Sequence, residues 1–393
     1  MERPLPPRVL HIGKYWPPFM GGVETFMADL LPAQCRAGAE VGALVHDHAG
    51  GRLPPFERDH GVTIWRVPGF GRLLYAPVSP HFPARLRRVI ADFRPDLLHL
   101  HTPNTSAFWA LLTPAARRLP WVIHWHSDVV ASRLDRGLAL AYPLYRPFER
   151  ALLARAGRVI VTSPPYRDSS AALAPWRDRT EVIPLGIDAD RLPRPDARAR
   201  DHARGCWPGG LRLLSIGRLT YYKGHEVLLR ALARVPGASL VLVGEGERRG
   251  DLERLIGELG IGERVWLAGR IGDAEMAALL AECDLFCLPS IERTEAFGVV
   301  LMEAMAQGRP SLVSAIEGSG VGWVVEDGVD GFHLPPGDVE AWAARIDGLV
   351  ADPSPLRRLG EVARGRFGQR FRIDRVADRT LALYREVLGR GAA

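Results

Sequence analysis

Short apolar segments alternate with amphipathic segments along the whole chain, and this alternation constrains the fold more than any other feature. Apolar runs of strand length begin near twelve positions: Val9, Val41, Val62, Leu97, Trp121, Val159 and Val182 in the first half, and Leu211, Leu240, Val265, Leu285 and Ser311 in the second. Strands separated by helices form parallel sheets that are covered by helices on both faces. The chain is therefore predicted to be an α/β protein.

The length of the chain predicts two domains, because 393 residues are more than one hydrophobic core usually organises. A stretch rich in Pro, Arg and Asp, residues 189–210, is interpreted as a linker between a first domain (1–188) and a second domain (211–370). The last segment, 371–393, is predicted to form a helix with four apolar residues at helical spacing: Val376, Leu381, Tyr384 and Leu388.

Composition excludes several classes of protein. The four cysteines have no disulfide-framework spacing, which indicates a reducing compartment. The first residues lack the apolar core of a signal peptide, and no apolar run reaches the roughly 18 residues of a membrane-spanning helix. The net charge of +6 is dispersed and no nucleic-acid-binding motif is present. These features predict a cytoplasmic protein that does not bind nucleic acid.

Two carboxylates, Glu295 and Glu303, are the first candidate site residues. A helix is predicted to begin near Phe297, which places Glu303 roughly two turns from Glu295, about the length of a nucleotide diphosphate sugar. The first amides of the helix, at Phe297, Gly298 and Val299, are donors suited to a diphosphate. The alternative is an acidic first turn favoured by the helix dipole together with one solvated glutamate.

Two loops that follow predicted strands have the composition of phosphate-binding loops. Arg218 and Lys223 bracket one of them, and Lys223 is one of only two lysines in the chain. The other loop follows the first strand and contains Gly21 and Gly22, which allow the backbone to approach a ligand closely. The dinucleotide fingerprint G-x-G-x-x-G is absent there, so a simple tight turn is the alternative.

Taken together and in this order, the motifs resemble those of glycosyltransferase family 4. That family has a Gly-Gly loop after the first strand, an Arg…Lys-Gly loop that opens the second domain, and a Glu-x7-Glu motif with Phe-Gly after the first Glu. The segments 182–188 (VIPLGID) and 243–246 (VGEG) are also similar to family landmarks. The resemblance covers nearly the whole chain.

The resemblance implies the GT-B fold, in which two Rossmann-like domains with parallel sheets face a central cleft and the C-terminal helix packs back on the N-terminal domain. The second domain would bind the nucleotide sugar: Arg218 and Lys223 at the diphosphate, Glu303 at the ribose, and the loop starting at Arg270 and Ile271 beside the base. Glu295 would orient the sugar, and the first domain would supply most of the acceptor pocket.

The resemblance also implies a role for His126, which follows the fifth strand of the first domain. The family places a histidine or a similar polar residue in this loop, near the hydroxyls and the anomeric carbon of the donor sugar. Open α/β sheets bind ligands at the carboxyl ends of their strands. The alternative is a strand-end histidine with satisfied hydrogen bonds.

No metal and no cofactor are expected. Three His-x-His pairs, at 46/48, 99/101 and 124/126, end apolar strands, and no cysteine or carboxylate completes a zinc spacing. Asp188-Ala189-Asp190 matches a manganese-binding Asp-x-Asp superficially, but turn and N-cap chemistry explains it better at the end of a strand. Members of the family generally use basic residues and helix N-termini instead of the ion.

Two arginine-rich segments, 85–94 and 146–158, have apolar residues at helical spacing. Such helices contact anionic lipid headgroups or present a solvated face, and both interpretations stay open. The resemblance favours contact with lipid headgroups, because family members that act on lipid-linked acceptors dock on membranes in this way. This interpretation would place the protein at the inner face of the cell membrane.

The predicted function is that of a retaining glycosyltransferase that moves a hexose from a nucleotide diphosphate sugar to a glycan or lipid-linked acceptor. The segments 125–128 (WHSD) and 320–324 (GVGWV) are similar to bacterial mannosyl- and rhamnosyltransferases of polysaccharide assembly, which favours GDP-mannose or a relative. Two alternatives stay open: a nucleotide-sugar epimerase of the same fold, and a non-catalytic nucleotide-sugar-binding subunit.

Overall fold

The computed structural model describes residues 6–19, 21–73, 76–129, 136–191 and 193–390. The chain divides into two compact units. Unit 1 consists of Met1–Gly186 and Ile373–Ala393, and unit 2 consists of Ile187–Arg372.

Unit 1 contains strands and helices that alternate, apart from a run of consecutive strands within residues 40–77. In chain order they are β1 (Arg8–Ile12), α1 (Gly22–Arg36), β2 (Glu40–Asp47), β3 (Phe56–Asp59), β4 (Val62–Pro68), β5 (Arg72–Leu73), β6 (Ala76–Pro77), α2 (Phe82–Phe93), β7 (Leu97–Thr102), α3 (Phe108–Leu112), α4 (Pro114–Arg117), β8 (Trp121–Trp125), α5 (Arg136–Arg155), β9 (Arg158–Val161), α6 (Pro164–Ser169) and β10 (Thr180–Val182).

Unit 2 continues the alternation. Its elements are α7 (Ala197–Arg204), β11 (Leu211–Ile216), α8 (His225–Ala233), β12 (Ala238–Val243), α9 (Arg249–Leu259), β13 (Val265–Gly269), α10 (Asp273–Glu282), β14 (Leu285–Leu288), α11 (Val299–Ala306), β15 (Ser311–Ser314), α12 (Val321–Val324), β16 (Gly331–Leu334), α13 (Val339–Ala351) and α14 (Ser354–Arg370). The last helix, α15 (Ile373–Arg390), belongs to unit 1.

Both sheets have the doubly wound strand order. The sheet of unit 1 runs β10-β9-β8-β7-β1-β2-β4-β3, and every pair is parallel except β3 with β4. The sheet of unit 2 runs β13-β12-β11-β14-β15-β16 and is parallel throughout. The order reverses between β1 and β7 and between β11 and β14. Ligands of such sheets bind outside the carboxyl ends of the strands at these switch points.

The strands are apolar because helices cover both faces of each sheet. In unit 2, the side chains of β12 and β14 are buried throughout. In unit 1, α15 packs against α1, and three of its four predicted apolar positions, Val376, Leu381 and Tyr384, are buried. Arg158 forms an ion pair with Glu386, at 2.5 Å, beside this packing.

The segment interpreted as a linker, 189–210, folds as part of unit 2. Its helix α7 packs against α10, and Arg204 pairs with Glu282 at 2.6 Å. Trp207 is buried and donates its Nε1–H to the carbonyl of Leu213 at 2.9 Å. Its arginines and aspartates form ion pairs and a helix cap within the unit. A short polar helix of this kind has the same composition as a linker, so the sequence alone did not separate the two.

Candidate active site

Two loops of unit 2 meet at its switch point, after β11 and after β14. Gly224, with φ of +66°, ends the first loop, and a Cβ at this position would lie 2.1 Å from the carbonyl oxygen of Pro289 in the second. The amide of Ile291 donates to the carbonyl of Tyr222 at 2.8 Å. Only glycine allows this approach, so the Lys-Gly pair of the motif holds the two loops together.

The loops bring together two of the predicted site residues. Nζ of Lys223 lies 2.5 Å from Oε2 of Glu295, and both side chains are nearly buried. The Ser290 hydroxyl donates to the same carboxylate oxygen at 3.0 Å, and the Ser319 hydroxyl donates to the backbone carbonyl of Glu295 at 2.5 Å. Glu295 is therefore fixed at both its side chain and its backbone.

Burial and charge act on Lys223 in opposite directions. Burial, the largest single effect, disfavours the ammonium, but Glu295 and Tyr222 together outweigh it and the pKa of Lys223 is raised above its usual value. Burial also raises the pKa of the neighbouring Tyr222 phenol. Lys223 is therefore a fixed positive charge at the carboxyl edge of the sheet.

Glu303 lies on α11 and pairs with a residue that sequence reasoning missed. Nη2 of Arg191 is 3.1 Å from Oε1 of Glu303, and the carboxylate is nearly buried. Arg191 follows the Asp188-Ala189-Asp190 segment, and the 112 residues between the partners explain why no local pattern indicated the contact.

Helix α11 begins two residues later than predicted, at Val299. Gly298 is its N-cap and has φ of +78°, where a side chain would be strained. Phe297 is buried and packs against Trp323 and Phe371, which anchors the entry to the helix. The first amides of α11 therefore follow directly on the loop that contains Glu295, whose side chain pairs with Lys223 of the other loop.

The other predicted residues of unit 2 lie around this edge. Arg218 is exposed in the loop after β11. Arg270 is exposed and Ile271 is half-buried after β13, the edge strand, which is separated from β11 by β12. Gly244 follows β12 and packs so tightly on the Gly217 carbonyl that a Cβ would lie 1.9 Å from its oxygen.

In unit 1, the loop with Gly21 and Gly22 leads into α1. Gly21 is extended, Gly22 is the first helical residue, and a Cβ on Gly21 would lie 2.2 Å from Oε2 of Glu24. Burial raises the pKa of the Glu24 carboxyl, against the opposing effects of its backbone hydrogen bond and of Lys14. The glycine at position 21 therefore makes room for a carboxylate of this chain.

His126 lies immediately after β8 and is buried in a stack of imidazole rings. His99 and His101 on β7 and His124 on β8 share one face of the sheet with it, and the rings of His124 and His126 are 4.3 Å apart at 3°. Burial lowers the pKa of His126 to about 3, so the ring is neutral at pH 7. His99, His101 and His124 lie within their strands and are fully buried.

Two triads in this stack have ligand nitrogens within 4.8 Å of one another, His11/His99/His101 and His101/His124/His126. Imidazole lone pairs lie in the ring plane. The rings of the second triad are within 15° of parallel and 4.3–5.5 Å apart, so their lone pairs do not converge on a point about 2.1 Å from each nitrogen. In the second triad this geometry suits ring packing and the hydrogen bond between His101 and His126.

Comparison with known proteins identifies the family. Residues 21–186 match the glycosyl transferase 4-like domain, and residues 207–366 match the glycosyl transferases group 1. The O-antigen chain mannosyltransferase C of Escherichia coli is 30% identical over 387 residues, 97% of this chain and 99% of the relative. The chain belongs to the glycosyltransferase family that these two domain models describe.

Two further comparisons agree with the assignment. The lipopolysaccharide core biosynthesis glycosyltransferase LpsE of Rhizobium meliloti is 36% identical over 365 residues, 92% of this glycosyltransferase and 95% of the relative. The structure of sucrose-phosphate synthase from Thermosynechococcus elongatus superposes with a TM-score of 0.81 at 26% identity, covering 98% of this chain and 99% of that one. The predicted GT-B class, with two parallel-sheet α/β domains, is confirmed.

The two arginine-rich helices of the glycosyltransferase differ in exposure. The large apolar side chains of α2 are buried, and Arg87 and Arg88 are exposed. On α5, Leu144 is 77% exposed and Phe148 is 47% exposed, beside exposed Arg146. Among the helices in the described part of the chain, none is both long and apolar enough to cross a bilayer.

Proposed function

We propose that this glycosyltransferase moves a hexose, with retention of configuration, from a nucleotide diphosphate sugar to a glycan or lipid-linked acceptor in the synthesis of cell-surface polysaccharide or glycolipid. GDP-mannose or a relative is the favoured donor, because relatives along most of the chain include a mannosyltransferase. The Lys223–Glu295 pair at the switch point of unit 2 carries the proposal. It places a cation for phosphate and a carboxylate for sugar hydroxyls next to each other.

The donor is held by unit 2. Lys223 and exposed Arg218 neutralise the diphosphate, and the first amides of α11 add donors with partial positive charge. Glu303 gives up its hydrogen bond with Arg191 and accepts hydrogen bonds from the ribose hydroxyls instead. The segment starting at Arg270 and Ile271 lies beside the base.

Stabilisation of the departing diphosphate supplies most of the catalysis. The bond from the anomeric carbon to the diphosphate breaks, and the acceptor oxygen bonds the same face of an oxocarbenium-like sugar. Preorganised cations and amides stabilise the charge that develops on the leaving group, so neither a side-chain nucleophile nor a metal ion is required. In unit 1, His126 contacts a substrate hydroxyl and the Gly21–Gly22 loop borders the acceptor pocket.

The same proposal places the protein in the cytoplasm, peripheral on the inner face of the membrane. The exposed apolar and basic side chains of α5 support contact with an anionic lipid surface. The buried apolar face of α2 leaves its arginines as a solvated face.

A panel of nucleotide sugars tests the function. We expect one donor, GDP-mannose or a relative, to bind with micromolar affinity and to be consumed only when a glycan or lipid-linked acceptor is present, with the anomeric configuration kept in the product. An isomerised nucleotide sugar would contradict transfer in favour of epimerisation, and tight binding without turnover on any acceptor would indicate a non-catalytic subunit.

A further inference from the structure

Buried polar side chains in unit 1 form a hydrogen-bonded chain that ends on His126. Nε2 of His126 lies 2.9 Å from Nδ1 of His101, and Nε2 of His101 lies 3.0 Å from Nδ1 of His11. Nε2 of His11 lies 3.0 Å from Oε1 of Gln34 on α1. All four side chains are buried.

The chain continues from Gln34 to the C-terminal helix. Nε2 of Gln34 donates to the hydroxyl of Tyr384 on α15 at 3.1 Å, and this hydroxyl also contacts Nδ1 of His99. Tyr384 and His99 are completely buried. A hydroxyl can donate as well as accept, so Tyr384 holds the amide of Gln34 in this orientation when its own proton goes to Nδ1 of His99.

The amide determines which nitrogen of each ring carries the proton. Oε1 of Gln34 only accepts, so Nε2 of His11 is protonated. Burial lowers the pKa of His11 to about 3, so the ring is neutral at pH 7 and its Nδ1 is bare. His101 must then donate from Nε2 to His11, and by the same argument His126 donates from Nε2 to His101.

The consequence is a defined tautomer at the end of the chain. His126 carries its proton on Nε2, and its Nδ1 is a bare acceptor that has no hydrogen-bond partner in the part of the chain that the structure describes. An amide of Gln34 turned by 180° would reverse each of these bonds and would make Nδ1 of His126 a donor.

We propose that Gln34 and Tyr384 are positioning residues that hold His126 in the Nε2–H tautomer, so that its bare Nδ1 accepts a hydrogen bond from a substrate hydroxyl. This inference rests on the proposed function, in which His126 contacts a sugar or acceptor hydroxyl. A hydroxyl group of a sugar or acceptor is a suitable donor for this nitrogen, and no proton transfer by His126 is required.

The first experiment reads the tautomer directly and does not depend on turnover. Histidines of the full-length protein are labelled with ¹⁵N, and the signals of His126 are assigned by comparison with His126→Gln. We expect a protonated Nε2 and a bare Nδ1 at pH 7. A protonated Nδ1 with a bare Nε2, or a doubly protonated ring, would overturn the proposal.

The second experiment separates positioning from packing. Gln34→Met keeps the length of the side chain but removes the acceptor for His11, whereas Gln34→Glu keeps an acceptor. We expect Gln34→Met to lower kcat by about 10- to 100-fold, the scale seen when a partner that orients a metal-binding histidine is removed, and to leave the affinity for free nucleoside diphosphate unchanged. Gln34→Glu should restore most of kcat. Equal losses in the two variants, or no loss in either, would contradict a positioning role.

Tyr384→Phe and Thr380→Val form a matched pair on α15, because each removes one buried hydroxyl. Only Tyr384→Phe should produce a mixture of His126 tautomers and a lower kcat, and equal effects would mean that the loss is structural. The two proposals fail separately. If no sugar is transferred from any donor, the proposed function fails whatever the tautomer of His126. If transfer occurs while Nδ1 of His126 is protonated, only the proposed positioning of His126 by the hydrogen-bonded side chains fails.

Discussion

The ammonium of Lys223 and the carboxylate of Glu295, 2.5 Å apart, bind the loop after β11 to the loop after β14. The pair has a structural role, because removing one partner leaves a nearly buried charge without compensation. It also has a consequence for the ligand. In the proposed function, a diphosphate that approaches Lys223 competes with Glu295 for the ammonium, and this competition frees the carboxylate for sugar hydroxyls.

Replacing Glu295 should therefore separate catalysis from diphosphate binding. We expect Glu295→Ala to lower turnover by roughly 100-fold or more, because the carboxylate aligns the reacting sugar. Binding of free nucleoside diphosphate should not weaken, since Lys223 loses its competitor. Steady-state kinetics and calorimetry measure the two effects, with Thr294→Ala, exposed in the same loop, as the control. Near-normal turnover in Glu295→Ala would refute the role of this residue.

The role of Glu303 can be tested with the ribose itself. Glu303→Ala should weaken donor binding by about 1.5–3 kcal/mol, the scale of a hydrogen bond to a charged group. A 2′,3′-dideoxy nucleoside diphosphate has no hydroxyls for this carboxylate, so the mutation should change its affinity little. Calorimetry with both ligands gives the comparison. Equal weakening of the two would mean that the mutation acts through Arg191 or through packing rather than through the ribose.

The two cations of the first loop should recognise phosphate. Arg218→Ala and Lys223→Ala should each weaken binding of donor and of nucleoside diphosphate far more than binding of the nucleoside. Exposed Arg230 on α8 offers a charge-matched control. Transfer should also persist in EDTA, because the proposed function gives these cations and the α11 amides the role of a metal ion. Strict dependence on manganese or magnesium would show that they do not.

Acid should destabilise unit 1 more steeply than unit 2. Burial lowers the pKa of His11 and His126 to about 3 and that of His46 to about 4, and it lowers the pKa of His99, His101 and His124 well below 6.5. Unit 2 has one such residue, His225, with a pKa of about 3. As pH falls, these histidines take up protons in the unfolded chain before they do so in the folded chain. The free energy of unfolding that they contribute is therefore fully present above pH 6.5 and is lost as pH drops towards the lowered pKa values.

Each buried histidine contributes a slope of up to about 1.4 kcal/mol per pH unit. Hydrogen exchange of peptides from β7 and β8, compared with β11 and β12 between pH 7.5 and 5, measures the difference after correction for intrinsic rates. His124→Leu should reduce the slope, because it removes one histidine whose two nitrogens have no partner among the described residues. Equal acid sensitivity of the two sheets would contradict the prediction.

All twelve strands expected from the sequence are present, each beginning within about two residues of its predicted start. Buried parallel strands are continuous apolar runs, which a single sequence shows clearly. The strands that were missed lack this pattern. β3 (FERD) is a polar edge strand that pairs antiparallel with β4, and β16 (GFHL) is a short edge strand with two half-buried residues.

The site was predictable where motifs are local and not where contacts are distant. Lys223 and Glu295 were found from their loops, but their direct ion pair was not, since it requires the β11–β14 switch point. Gln34, Tyr384 and Arg191 carried no signal, because their partners are distant in sequence. The histidines of β7 and β8 were noticed as pairs, but their stacking depends on the register that places His101 beside His124.

Membrane contact should depend on the exposed surface of α5. We expect the protein to cosediment with vesicles that contain anionic lipid at low salt, and binding should fade as salt rises, because each arginine near the surface contributes about 1 kcal/mol through a screened field.

Arg146→Ser with Arg150→Ser should weaken vesicle binding, and adding Leu144→Ser should weaken it further. Arg87→Ser with Arg88→Ser on α2 removes the same charge from a helix whose apolar face is covered, and should have a much smaller effect. Nucleotide affinity, which the proposed function assigns to unit 2, should stay unchanged in all of these variants. No vesicle binding at low salt, or equal losses from the α2 and α5 variants, would make these arginines a solvated face and would favour a soluble acceptor.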